Sequence, residues 1–458
     1  MFVVVNPATG KTILEMQSDD QKSIEAKMAL AENAQKKWQK TSIPMRIGIV
    51  KKWNDLLNAN LEKLAKILTN ETGKPISQSL SEIRSVSARV DFFTKHVEAV
   101  LETSCVSETG EFTQEEISCE PLGVIANISA WNYPYFVGAN VFVPALLMGN
   151  AVLYKPSEFA SITGHHIAQL MHEAGVPENV FTLVTGVGDV GAMLVNQNVD
   201  GIFFTGSHAT GLKILQQARE KMIPVQLELG GKDPTYVCED INIEKAAESL
   251  AEGVFYNTGQ SCCSVERIYV HQSVYASFLE HLVEKTRRFI VGDPADEKTF
   301  IGPLTRKAQL SILEKQVTDA RSHGGRVLLG GERLKGDGYF FAPTIVAEAN
   351  HDMICMREES FGPIIGIQKV ADDEEALALM NDTDYGLTAG IYCHSQTRAR
   401  QFLSQVNTGS VYWNCCDRVS PRLPWTGRKN SGIGSTLSLE GLRVFGRVKA
   451  WHLRAVSN

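Results

Sequence analysis

This 458-residue sequence has no apolar run long enough to cross a membrane; a helical span needs about 18 to 20 such residues. Its first stretch, MFVVVNPATGKTILEM, has no charged leader ahead of an apolar core, so no signal peptide is expected. Cysteine is sparse, with nine residues and none in C-x-x-C spacing. That leaves no zinc ligand set and no disulfide framework, and reduced thiols fit a cytoplasmic location. Positive charge is not in excess, since the net charge is −7. No basic surface for nucleic acid follows, and no membrane partner is implied. No repeat of fixed period and no low-complexity tract appears, and 43% hydrophobic with 21% charged residues describes a folded globular chain.

What is present is an alternation. The first hundred residues place apolar side chains at steps of three and four, a helical pattern, after a turn signal at NPATG. From 105 to 122 the chain becomes a polar extended excursion. Apolar strands are then predicted at GVIANIS, AVLYKPS, VFTLVTG, GIFFTGS and PVQLELG, with helices between them. After Gly231 a second alternation of helix and strand begins. Such alternation predicts parallel sheets covered on both faces, with ligands at the carboxyl ends of the strands. Residues 186–191, GVGDVG, form a literal G-x-G-x-x-G, but the segment about twenty residues on, GIFFTGSHATG, offers no ribose-binding acid. A plain turn is the simpler reading of that motif.

The chemistry-bearing residues are scattered. Asn132 lies in SAWNYP just past a strand end, beside Trp131. Lys155, Ser157 and Glu158 lie in YKPSE, and Gly206 and Ser207 in FTGS. Glu228 lies in LELGGK, Cys262 in GQSCC, and Glu359 and Phe361 in EESFGP. Singly, each has an ordinary reading: a turn amide, a solvated loop, a helix cap, a buried small thiol.

In this order, together with SGIG near the end, they resemble the aldehyde dehydrogenase superfamily over nearly the whole chain. The resemblance implies an α/β fold with a Rossmann-like cofactor domain at 1–104 and 123–229. It implies an α/β catalytic domain at 230–440 and a small β oligomerisation element at 105–122 and 441–458. It implies NAD as cofactor, with NADP possible, no metal, a homodimer or homotetramer, and oxidation of an aldehyde to its acid through a cysteine thiohemiacetal and thioester. Cys262 is then the nucleophile, Glu228 the base and Asn132 an oxyanion donor. Trp131, Lys155, Ser157, Glu158, Gly206, Ser207, Glu359 and Phe361 line the cofactor. Cys263 is expected to point away, because successive side chains of an extended segment diverge.

Tyr133, Val137, Asn140, Ser261, Val419 and Trp425 are the expected substrate wall. Members that oxidise succinate semialdehyde often carry an arginine where Asn140 stands, so a neutral aliphatic or aromatic aldehyde is the expectation. Arg418 and Arg422, in an unusual NCCDRVSPRL stretch, are the residues that allow the semialdehyde alternative. PWTG replaces the P-F-G-G common in the family. The rival readings are an acyl-transferring or phosphorylating relative and a non-catalytic descendant of the fold.

Overall fold

The computed structural model describes residues 1–108 and 113–454. Two mostly parallel sheets organise it, each with one antiparallel edge strand. The first has six strands in the order Gly432–Ile433, Val225–Glu228, Gly201–Thr205, Val124–Ile128, Ala151–Lys155, Phe181–Leu183. The segments at 124–128, 151–155 and 201–205 are buried at every position. That is why they read as continuous apolar runs rather than alternating ones. The second sheet has seven strands, in the order Arg326–Leu329, Thr344–Ala347, Ile364–Val370, Arg267–His271, Pro234–Val237, Thr388–Tyr392, Ser410–Trp413. Among the described residues no helix is long and apolar enough to cross a membrane, and no cluster of potential metal ligands occurs.

Some features differ from the sequence reading. The residues flanking NPATG are strands, Phe2–Val5 and Thr12–Met16, paired as an antiparallel hairpin. Gly432–Ile433 lies within 230–440 yet pairs antiparallel in the first sheet, Gly432 opposite Glu228. Gly432 sits at φ +139°, and a Cβ there would lie 2.1 Å from the Leu227 carbonyl oxygen, so only glycine fits. This two-residue strand thereby covers the edge of the strand that carries Glu228. At GVGDVG a helix, Gly188–Asn196, follows the turn, and Gly186 is needed because a Cβ there would meet Val190 at 2.3 Å.

The excursion forms a three-stranded antiparallel sheet of Ser104–Glu108, Thr113–Pro121 and Gly446–Arg454. Within the assigned oligomerisation element, 441–443 end the helix Ser438–Arg443, and 109–112 and 455–458 lie outside the described residues.

The long helix Ile76–Leu101 carries charge into the core. It buries Ile83, Val86, Val90, Phe93 and Val97, at steps of three and four. Glu82 and Arg89 fall on the same inward stripe and are buried with it.

Candidate active site

Cys262 stands in the loop that follows the short turn Tyr256–Gly259 and leads into the strand Arg267–His271. Asn257, Thr258 and Gly259 are consecutive left-handed residues, at φ 51°, 60° and 70°. A left-handed threonine is strained, and such strain persists only where the surroundings enforce it. They do so here. Asn257 N donates to Gln78 Oε1 at 2.9 Å, Thr258 Oγ1 to the Gly302 carbonyl at 3.2 Å, and Thr305 N to Gln260 Oε1 at 2.9 Å. Gly259 leaves no room for a side chain against the Gly362 carbonyl, 2.3 Å from a Cβ. Asn132 Nδ2 donates to the Gln260 carbonyl at 3.2 Å, so it braces the loop and keeps a second N–H. Among the described residues the Cys262 backbone N–H has no acceptor.

Cys262 and Cys263 both line a cavity of about 490 Å3. Cys263 therefore does not point away from it, contrary to the alternation expected of an extended segment, because the loop turns at Ser261–Ser264, where Ser264 N donates to the Ser261 carbonyl. What separates the two thiols is their partners. Cys263 Sγ donates to Asp417 Oδ1 at 2.9 Å. Its hydrogen bond with Cys262, then burial and the Asp417 charge, hold the Cys263 thiol far above the usual range. For Cys262, the Cys263 hydrogen bond favours the thiolate, while burial and the Glu228, Asp233 and Asp417 charges oppose it, with a net upward shift. Cys262 is the half-buried thiol of the two, and Cys263 is buried.

Glu228 ends its strand inside the same cavity and is buried. Burial pushes its carboxyl up to about 7, against hydrogen bonds from Trp425 and Thr205 and the charge of Arg89. Thr205 Oγ1 lies 3.4 Å from Glu228 Oε2.

The residues the resemblance assigns to a dinucleotide gather at the strand ends of the first sheet and across from them. Trp131 meets Phe361 edge-on at 5.5 Å and Phe159 at 6.4 Å. Lys155 is buried, with its amine on the Pro156 carbonyl at 3.2 Å, and burial lowers its pKa against the charges of Glu158 and Asp189. Ser157 Oγ donates to Glu158 Oε2 at 3.2 Å. Ser207 caps the helix His208–Ala218, accepting from Thr210 N. A Cβ on Gly206 would strike the Phe204 ring at 2.4 Å. Glu359 Oε1 accepts from Gly231 N at 3.2 Å. Burial, then the Glu266 charge, raises the Glu359 carboxyl to about 8. Phe361 holds φ +45°, secured by Glu266, whose carboxylate accepts the Ser360 and Phe361 amides at 3.0 Å and pairs with Lys232. Sequence reading missed Glu266 and Lys232, although the lysine closes the quoted LELGGK.

Tyr133, Val137, Asn140, Ser261, Val419 and Trp425 all line the cavity, and Arg418 does too, as an exposed side chain. Arg422 is exposed and does not line it. The missed wall comes from the helix Ile76–Leu101, which contributes Glu82, Ser85 and Arg89, and from Phe136, Tyr256 and Asp417. Arg89 Nε donates to Asn140 Oδ1 at 2.8 Å. So the amide that stands in the arginine position is bonded to an arginine fifty-one residues earlier. Burial pulls the Arg89 pKa down to about 10, against the Glu82 and Glu228 charges. Its inward register was the available signal. A larger cleft, about 970 Å3, lies by Asn70, Asp293 and Lys335, and none of the sequence-marked residues line it.

Comparison with known proteins gives the family and the fold. Residues 1–451 match the aldehyde dehydrogenase family. A betaine aldehyde dehydrogenase of Brucella anthropi is 36% identical over 452 residues, covering 97% of this chain and 92% of the relative. The solved structure of an NAD-dependent aldehyde dehydrogenase from Sinorhizobium meliloti superposes with a TM-score of 0.96 at 33% identity, over 99% of this chain and 91% of the other. A 3,6-anhydro-L-galactose dehydrogenase in complex with NAP superposes at 0.95 and 31% identity, over 99% of this chain and 96% of the other. The chain belongs to the aldehyde dehydrogenase family.

Proposed function

We propose that this enzyme oxidises an aldehyde to its carboxylic acid, with Cys262 as nucleophile, Glu228 as base and NAD as the favoured hydride acceptor. The observation that carries the reading is that Cys262 and Glu228 line one cavity while the neighbouring thiol is engaged by Asp417.

Cys262, once deprotonated, attacks the aldehyde carbon, and a C–S bond forms. The oxyanion is met by the free N–H of Asn132 and the unpaired backbone N–H of Cys262. Loss of one such donor typically costs about two to three orders of magnitude in rate. Departure of hydride leaves a thioester on Cys262. Glu228 takes a proton from water, the hydroxide adds to the thioester, and the acid leaves as the Cys262 thiolate returns. A carboxyl near 7 is suited to this, because it is both substantially ionised and basic at neutral pH.

The residues present fit a nicotinamide dinucleotide. Gly206 and Gly230 bare their backbone; a Cβ on Gly230 would collide with the Glu359 carboxylate. The helix His208–Ala218 offers its N-terminal amides to phosphate. Glu158 and Glu359 are acceptors for ribose hydroxyls, and Trp131 and Phe361 form an aromatic corner. When bound, the cofactor supplies the hydride acceptor. Glu158 disfavours a 2′-phosphate by charge, which supports NAD over NADP.

Residues 1–104 and 123–229 then act as the cofactor domain and 230–440 as the catalytic domain. The sheet of 104–108, 113–121 and 446–454 exposes Val106, Ile117, Val448, Trp451 and Leu453, an apolar set suited to pairing with a second subunit.

The test is an aldehyde panel with NAD and NADP, following reduced cofactor and identifying the product. Free acid formed without coenzyme A or phosphate is expected. A product that requires either co-substrate overturns the hydrolytic reading, and an enzyme inert toward every aldehyde overturns the catalytic one.

A further inference from the structure

Among the described residues Arg89 is a buried guanidinium of the substrate cavity with no carboxylate in contact. Its side chain is 3% exposed and sits in the cavity wall. Three contacts hold its plane. Nε donates to Asn140 Oδ1 at 2.8 Å, one terminal amino group reaches the Ser85 carbonyl at 3.4 Å, and the guanidinium carbon lies 3.9 Å from the centre of the Phe136 ring. None of the three brings a negative charge. Among the described residues no carboxylate oxygen comes within 4 Å of it, and its second terminal amino group has no acceptor.

The acids that share the cavity are otherwise occupied. Glu82 pairs with the buried Lys74 and accepts the Tyr135 amide at 2.9 Å. Asp417 accepts the Cys263 thiol. Glu252 is exposed at the rim. Glu228 is the base of the reaction proposed above. The Glu82 and Glu228 charges act on Arg89 only from beyond contact, so its burial is not offset by a direct ion pair, and its terminal fork matches a carboxylate in two parallel hydrogen bonds. Asn140 takes the Nε–H and so leaves the two terminal amino groups for that fork.

We propose that Arg89, oriented by Asn140, is a specificity-determining residue and that the substrate is an aldehyde with a carboxylate at its far end, a semialdehyde of a short dicarboxylic acid. This rests on the Cys262 reading and names its substrate class. It replaces the neutral tail expected from Asn140 alone, and moves the arginine from the 418–422 loop to the helix Ile76–Leu101. The same charge disfavours a quaternary ammonium tail, which separates this chain from the betaine aldehyde dehydrogenases it resembles.

The test compares kcat/KM, with NAD, for succinate semialdehyde, butanal and betaine aldehyde, in the wild type, Arg89→Met and Arg89→Lys. The wild type is expected to prefer the semialdehyde over butanal by tenfold or more. Arg89→Met is expected to lower that ratio by about thirtyfold, the usual range for a charge-assisted pair, and Arg89→Lys to restore part of it. Should Arg89→Met fail to fold, Asn140→Leu removes the Nε acceptor, leaves Arg89 in place and is expected to lower the same ratio by about threefold to tenfold. Equal or better use of butanal or betaine aldehyde by the wild type overturns the proposal, as does a ratio unmoved by these substitutions. Butanal oxidation that is lost in Cys262→Ala upholds the parent reading independently, so a missing semialdehyde preference then counts against Arg89 alone. A wild type that oxidises none of the three defeats the parent reading and this one with it.

Discussion

The two sides of Cys262 are built by different means. On one side, Trp131, Lys155, Gly206 and Glu228 stand at or just past the ends of parallel strands, each inside a short contiguous motif. On the other, the wall is made of single side chains from the helix Ile76–Leu101, the helix Pro134–Leu147 and the loop at 416–425. A strand end delivers its functional residue together with the turn that must come next, so the sequence signal is local. A helix face spreads its residues over steps of three and four, and neighbours in space are far apart in sequence. The strand-end side carries the proposed chemistry, and the helix side carries the proposed choice of substrate.

The widest test of this contrast separates adjacent residues. Cys262→Ala is expected to lower turnover by about four orders of magnitude or more, as loss of a nucleophile does. Cys263→Ala is expected to stay within about tenfold of the wild type, and to cost about 1–3 kcal/mol of stability because the Asp417 carboxyl loses its buried donor. Steady-state rates and thermal melts read both. An active Cys262→Ala beside a dead, folded Cys263→Ala would move the nucleophile by one residue.

Glu228→Gln comes next. General-base catalysis is worth about two to four orders of magnitude, so steady-state turnover should fall by roughly that while a burst of reduced cofactor survives. The pH dependence has a definite sign. Burial raises the carboxyl to about 7, so the base is protonated below that pH, and turnover limited by thioester hydrolysis rises as pH climbs through 7. The glutamine enzyme should lack that limb. Unchanged steady-state turnover assigns the base elsewhere.

Legibility followed the same division. The alternation of strand and helix, and every residue marked at a strand end, could be read directly, because parallel strands buried on both faces leave unbroken apolar runs. The cavity wall was read only where it adjoins a motif, as with Tyr133, Val137 and Asn140 after WN. Arg89 and Glu82 were passed over inside a helix that scans as ordinary amphipathic sequence, although both fall on its buried stripe. Asp417 was passed over because its partner, the Cys263 thiol, is 154 residues away. Glu266 and Lys232 act one layer behind the site and hold the turn at 360–361, a role visible only once the loop is folded.

Cofactor choice gives a smaller effect on the motif side. Glu158→Ala is expected to narrow the preference for NAD over NADP by about tenfold, or about 1.4 kcal/mol, by removing a carboxylate from beside Ser157 and Lys155. Specificity constants for both cofactors measure it. A wild type that prefers NADP contradicts the role given to Glu158.

The smallest effect tests where the two sides meet. Trp425 belongs to the substrate wall, yet its indole opposes the upward shift of the Glu228 carboxyl, which belongs to a strand end. A donor to a carboxylate stabilises the ionised form and lowers its pKa. Trp425→Phe removes the donor and keeps an aromatic ring where the family commonly has phenylalanine, so the fold should tolerate it. With Thr205 and the Arg89 charge still in place, the Glu228 carboxyl should rise only modestly above 7. The rising limb of the pH–turnover profile should therefore move up by about half a pH unit to one, equivalent to about 0.7–1.4 kcal/mol. The variant then loses turnover near neutral pH and recovers it in mildly alkaline buffer, which simple loss of substrate packing does not do. A limb that stays at 7 while turnover falls equally at all pH values places Trp425 in the wall alone, and leaves Thr205 and Arg89 as the groups that set the base.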